Sequence, residues 1–220
     1  TTEHTLSLHD ALPIFFSPIQ VLDGIASLLD KNLLQRETGL DGGPRFDLLE
    51  TISQFGRERL QEAGEWEALQ DRHLGCFLAL ALEGEPHVFQ GNPAWIARFE
   101  ADYDNFHAAM TVALARSPES AILLAKALDE FTQFSPRRYE SYGWAMRILD
   151  DTSAWPPGLL RASALFLAGD LSWSTGDNER AVELMEASLD MARQLSDTRP
   201  LQQLSCLVIY RLAVVHGTRG

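Results

Sequence analysis

The chain has 220 residues, of which 45% are apolar and 22% charged, with a formal net charge of −13. This length and composition suit one or two globular domains with a sizeable core and exclude a long disordered linker. The acidic balance disfavours duplex nucleic acid, which is held by Lys and Arg on phosphates, and anionic lipid headgroups; protein or small-molecule partners fit better.

Cys76 and Cys206 lie far apart and match no disulfide framework or zinc spacing, so a reduced, cytoplasmic setting is expected. No apolar run approaches the roughly 18 residues that a membrane span requires. The longest, around Leu204 to Val215, is broken by Tyr210 and Arg211. The first fourteen residues, TTEHTLSLHDALPI, have no basic segment followed by an apolar stretch and so form no secretory signal. They resemble translated sequencing-adapter read-through, so residues 1–16 are expected to be non-native or disordered, and the natural chain to begin further upstream.

Helical pattern starts at Ser17-Pro18, a capping residue followed by proline at the first helical position. Val21, Leu22, Ile25, Leu28 and Leu29 then fall on one helix face. A strand is expected at Leu33 to Arg36, a glycine-rich turn at Thr38 to Pro44, and a returning strand at Arg45 to Leu48. This is the order of a winged-helix tail, placed at 17–64. Leu49, Ile52, Phe55 and Leu60 are expected to line the next helix, which Gly64 ends; Trp66, Leu69, His73, Cys76, Phe77 and Leu80 line the one after. Gly91-Asn92-Pro93 marks a break, with Asn92 capping a helix that carries Trp95, Ile96 and Phe99. Further helices are expected at about 102–115, 118–134, 138–150, 158–175, 178–195 and 199–216, with boundaries good to roughly 2–4 residues. A helical linker is assigned to 65–115 and helical repeats to 116–220.

The sharpest local signal runs from Leu165 to Ser188. One helix places Leu165, Ala168, Gly169 and Ser172 on a face, and a second presents Ala181, Leu184, Met185, Ser188 and Leu189. Between them Gly176 can adopt the left-handed conformation that closes a helix, and Asp177 can cap the next. Small residues at Gly169 and Ala181 let antiparallel helices approach at the near end of the usual range of about 8–10 Å. Leu165, Gly169, Gly176, Asp177 and Ala181 together resemble a tetratricopeptide repeat, although Ser172 stands where an aromatic is common. A second copy begins near Leu201 and is cut by the end of the chain, and a degenerate one is expected at Leu123 to Leu149. Because such pairs stack to bury their faces, an end in mid-repeat predicts a fragment.

Three stretches are jointly similar to the large LuxR-type and SARP-type transcriptional regulators, bacterial signal-transduction ATPases. LDGIASLLDKNLLQRE and PRFDLLETISQFGRERL match the winged-helix end of the ATPase module, with Arg45, Phe46, Leu49, Glu50 and Thr51 on its RF..LET signature. His73, Phe77 and Leu78 fall on the helix that follows. Trp95, Ile96, Phe99, Glu100, Asp104, Asn105, Phe106 and Ala108 to Met110 match its WL..LE.E.dNLraAL segment, with Phe106 for the common Leu and His107 for the common Arg. The resemblance, covering about Val21 to Gly217, implies a mostly α fold: a small winged-helix head followed by a tetratricopeptide-like solenoid. It also implies ATP in an upstream domain absent from this chain, and a coupling role between that domain and an inducer.

Within the chain itself the chemistry is sparse. No G-x-x-x-x-G-K-[ST] loop is present, and the glycines from Gly39 to Gly43 suit a hairpin better than a phosphate cradle. His73 and Cys76, three apart on a helix, lack the second pair a structural zinc needs and are expected to pack in the core. His107 is expected to be a surface or interhelical contact. Glu100, Asp102 and Asp104 are expected on a solvated helix face and turn, and Ser141, Ser172 and Ser174 have no evident base. Trp66, Trp95, Trp144, Trp155 and Trp173 suit a core better than a ligand cage. From Pro18 to Gln70 five basic residues face ten acidic ones, a net of −5, the wrong sign for DNA phosphates. The expectation is therefore a non-enzymatic sensor and coupling segment that binds a protein partner or inducer, docks on the absent ATPase domain, and contacts neither nucleic acid nor membrane. No catalytic, cofactor or metal site is assigned. The alternative is a free-standing tetratricopeptide adaptor.

Overall fold

The computed structural model describes residues 17–39, 43–133, 135–195 and 198–217. Residues 1–16, including the stretch expected to be non-native, lie outside the described residues. The fold is mostly helical, with ten helices and one two-stranded sheet among those described. None of these helices is long and apolar enough to cross a membrane. The chain divides into two compact units, Thr1–Val112 and Ala113–Gly220.

In the first unit, α1 (Pro18–Asp30) opens with a capping box: Gln20 N donates to Ser17 Oγ at 3.3 Å, and Ser17 N donates to Gln20 Oε1 at 2.8 Å. β1 (Leu34–Thr38) and β2 (Pro44–Leu48) follow as an antiparallel hairpin, Leu34 opposite Leu48 and Arg36 opposite Phe46. α2 (Glu50–Glu62), α3 (Trp66–Phe89), α4 (Pro93–Ala101) and α5 (Tyr103–Arg116) as far as Val112 complete it.

The apolar face expected on α2 is not buried. Ile52 and Leu60 are half-buried, while Leu49 and Phe55 are exposed, Phe55 to 58%. Burial is concentrated instead in α3 to α5, where Phe99, Phe106, Ala109 and Met110 are fully enclosed. A Cβ at Gly84 of α3 would overlap the Phe99 ring and crowd Trp95, so that glycine lets α4 lie close against α3.

In the second unit, α6 (Pro118–Thr132), α7 (Arg138–Asp151), α8 (Leu159–Ser174), α9 (Asn178–Gln194) and α10 (Arg199–Gly217) succeed one another. α8 is the central helix: it packs against α6, α7, α9 and α10, and most of its residues from Ala162 to Ser172 are buried. Phe166 of α8, Met185 and Leu189 of α9, and Leu204, Val208 and Val215 of α10 share one apolar cluster. One buried hydroxyl beside it is satisfied between helices: Ser188 Oγ of α9 donates to the Ala162 carbonyl of α8 at 2.7 Å.

Four helix ends use one device. At Asn32, Gly64, Gly91 and Gly176, φ is positive (54°, 71°, 72° and 95°). In each case that residue's N–H bonds three residues back and the next residue's N–H bonds five back, as in Asp177 N to Ser172 O at 2.9 Å. This is the Schellman closure, which satisfies orphan helix carbonyls. At Gly91-Asn92 and Gly176-Asp177 the very next side chain caps the following helix, so only three residues separate one helix from the next.

Candidate functional site

Two polar constellations stand out, one in each unit. In the first, residues far apart in sequence meet in space. Arg45 of β2 donates through Nη1 to Asp102 Oδ1 at 2.8 Å and to the Ala101 carbonyl at 3.1 Å. Asp102, at the end of α4, also receives Asn105 Nδ2 at 3.5 Å, and Asn105 Oδ1 lies 3.4 Å from Nε2 of His73 on α3. Arg45, Asp102, Asn105 and His73 thus form a polar chain that ties the hairpin to three helices.

Asp102 was expected on a solvated face with Glu100 and Asp104. It is instead only 9% exposed, because its position at the end of α4 turns the carboxylate inward toward Arg45. Burial holds the His73 imidazole below its ordinary range, with the Asn105 contact opposing that shift in part.

Aromatic rings extend the same region. His73 lies 4.5 Å from Phe77, Phe77 meets Phe106 edge-on at 5.8 Å, Phe106 touches Phe99 at 5.0 Å, and Phe99 meets Trp95 at 6.3 Å. Trp95 stacks on His87 at 5.0 Å and carries the Arg98 guanidinium on its ring at 5.2 Å. The remaining signature residues stand apart: Phe46 and Leu49 are each 42% exposed, and Glu50, in the first turn of α2, is exposed.

In the second unit Leu165, Gly169 and Ala181 are buried, Gly169 directly against α9 at Ala181, while Gly176 and Asp177 form the turn. A Cβ on Gly169 would lie 2.9 Å from Met185 Cγ and 3.1 Å from the Ala181 carbonyl, so the two backbones meet where both side chains are small. Asp177 accepts from Arg180 N at 3.1 Å.

Beside this pair lies a cluster that the sequence reading passed over. Arg138 of α7 is 4% exposed and donates to Asp129 Oδ1 of α6 at 2.8 Å and to Ser174 Oγ of α8 at 2.6 Å. Its Nη2 approaches Asp170 Oδ2 of α8 at 3.7 Å, and Arg211 Nε of α10 approaches Asp170 Oδ1 at 3.1 Å. Arg211 also lies over the Trp173 ring at 5.7 Å. Two arginines and two aspartates from four helices therefore share one interior. Burial first, and the neighbouring Asp129 second, push the Asp170 carboxyl up to about 7, against the pull of Arg211 and Arg138. Burial also raises Asp129.

A signal was present: Arg211 interrupts an apolar run, and Asp170 follows Gly169 on a helix whose other inward residues are apolar or small. A charge on an apolar stripe calls for a buried partner. Ser174, noted for lacking a base, serves as an acceptor for Arg138. Among the described residues no group of three or more His, Cys, Asp or Glu is placed to hold a metal ion.

The chain is 28% identical over 192 residues to proteins of Mycobacterium tuberculosis and Mycobacterium bovis that carry the provisional name of HTH-type transcriptional regulator. The match takes in 84% of this chain but 22% of those proteins, so the chain spans about a fifth of their length. No protein-family profile and no solved structure matches it.

Proposed function

We propose that this chain is a non-catalytic sensing and coupling segment of an ATP-dependent transcriptional regulator working in the cytoplasm. The observation that carries the reading is the extent of the likeness: it takes in 84% of the chain, within regulators more than four times as long as the matched stretch. A segment that shares most of its length with part of a regulator is best understood as a part of one.

The local architecture supports specific roles. The order α1, β1, β2 with an acidic balance suits a winged-helix head used for docking on a neighbouring ATPase domain, because a net of −5 from Pro18 to Gln70 repels DNA phosphates. The α8–α9 pair, with its close approach at Gly169 and its three-residue turn, suits a tetratricopeptide-like repeat. Stacked pairs of this kind form surfaces that hold a protein partner or an inducer, and occupancy would bias the docking of the head.

The test is genetic and direct. In the full-length gene at its own locus, Gly169→Val forces α8 and α9 apart, and transcript profiles should lose their response to the inducing condition. Unchanged transcription in that variant, or an upstream reading frame with no nucleotide-binding loop, would overturn the reading. Nucleic-acid contact by this segment is checked by gel shift at low salt, where retention of duplex DNA would contradict the docking role.

A further inference from the structure

We propose that the Asp129–Asp170 carboxyl pair is a buried proton-binding site, which takes one proton and makes the packing of α6, α7, α8 and α10 depend on pH.

The geometry supplies the reason. The Asp170 side chain is 1% exposed, and charge is balanced around it by Arg138 and Arg211. Its hydrogen-bonding needs are not met. The Arg138 approach is long at 3.7 Å, the Arg211 approach at 3.1 Å is poorly aligned, and neither Asp170 oxygen has a hydrogen-bond donor. Arg138 spends its well-formed bonds on Asp129 and Ser174. A buried carboxylate whose lone pairs go unmatched is costly, whereas a carboxyl group beside a second carboxylate can share a proton with it.

Arg138 brings the two carboxylates together: its Nη1 donates to Asp129 Oδ1 at 2.8 Å and its Nη2 faces Asp170 Oδ2 at 3.7 Å. A proton from solvent that forms an O–H bond on Asp170 would be donated to the Asp129 carboxylate, whose Oδ1 already accepts from Arg138. One buried negative charge is removed and one orphaned group becomes a donor. The cluster then carries a net positive charge, which Arg211 can bear: its side chain is 16% exposed and rests on the face of Trp173.

Among the described residues, the groups facing Asp170 are few. α6 contributes Asp129, α7 Arg138, α10 Arg211, and α8 itself Ser174, while α9 meets this stretch of α8 at Gly169 with Ala181 and Met185. Asp170 is held up to about 7 against an ordinary value of 3.8, so the folded chain binds the proton more tightly than the unfolded one. The stabilisation is full below 3.8, declines as pH rises toward about 7, and is gone above that.

The experiment is thermal unfolding of the whole chain across that range, for wild type and for Asp170→Asn, which mimics the protonated form. The wild-type midpoint of the second unit should fall by several degrees as pH rises through the window and then level off. Asp170→Asn should lack that slope and match wild type at the acidic end. A flat wild-type profile, or an equal slope in both proteins, overturns the proposal. If Asp170→Asn does not fold, carbon-13 NMR of the wild-type aspartates decides: a carboxyl titrating near neutrality supports the site, and ordinary titration of all of them sinks it.

Discussion

Asp102 shows how one side chain can hold an arrangement that its neighbours in sequence do not announce. Its carboxylate ends α4, accepts from Arg45 across 57 positions of chain, and steadies the Asn105 amide that meets His73. Truncation would take the carboxylate from the Arg45 guanidinium, which keeps its bond to the Ala101 carbonyl, and leave Asn105 with one contact fewer. Asp102→Ala should therefore destabilise the first unit by about 1–3 kcal/mol, read by denaturant titration of tryptophan fluorescence. Asp102→Asn, which keeps an acceptor for Arg45, should lose less. Equal losses for the two would mean that the carboxylate charge contributes as much as its geometry. Ion pairs of other kinds contribute little here: Arg59–Glu62, Arg180–Glu183 and Arg193–Asp190 are exposed pairs within single helices.

For helices and turns, the determining features are small residues at crossing points and left-handed residues at ends. Gly169 and Gly176 serve these two purposes seven residues apart, and their substitutions separate the effects. Gly169→Val places branched carbons where Met185 and the Ala181 carbonyl already stand, so α8 and α9 must part; the expected cost is about 1–3 kcal/mol or more. Gly176→Ala meets open space and pays only for its φ of 95°, about 1 kcal/mol. Chemical denaturation of the two variants should rank them in that order, and the reverse ranking would show that the helix pair yields easily. The turn residues Gly64, Gly91 and Gly176 and the caps Ser17, Asn92 and Asp177 are all legible from sequence, because each satisfies backbone groups only a few positions away. Asn32 closes α1 by the same device but carried no such signal, since asparagine adopts positive φ less regularly than glycine.

Across the whole molecule, the two units should answer acid in opposite directions. Burial lowers the His73 pKa, so folding of the first unit favours the neutral ring, and stability there is lost as pH falls through the unfolded value of 6.5. Asp170 works the other way in the second unit, gaining stability over the same descent. Amide hydrogen exchange at several pH values, read separately for α3 and α8, should show protection falling in the first and rising in the second on acidification. His73→Gln should remove the first trend and leave the second. Two trends of the same sign would mean that some other titrating group governs one of the units.

Helix order and type, the hairpin, the ends of most elements and the close approach at Gly169 were determined by the sequence alone. Each depends on periodicity, on capping, or on a residue too small to obstruct a neighbour. Only the tertiary structure decided which charges go inside. Asp102 among its acidic neighbours, Arg138 beside Arg137, and Arg211 in its apolar run become buried partners through contacts between elements distant in sequence. The apolar face of α2, by contrast, is regular in pattern yet stays largely exposed, since periodicity marks a face and only a packed neighbour buries it.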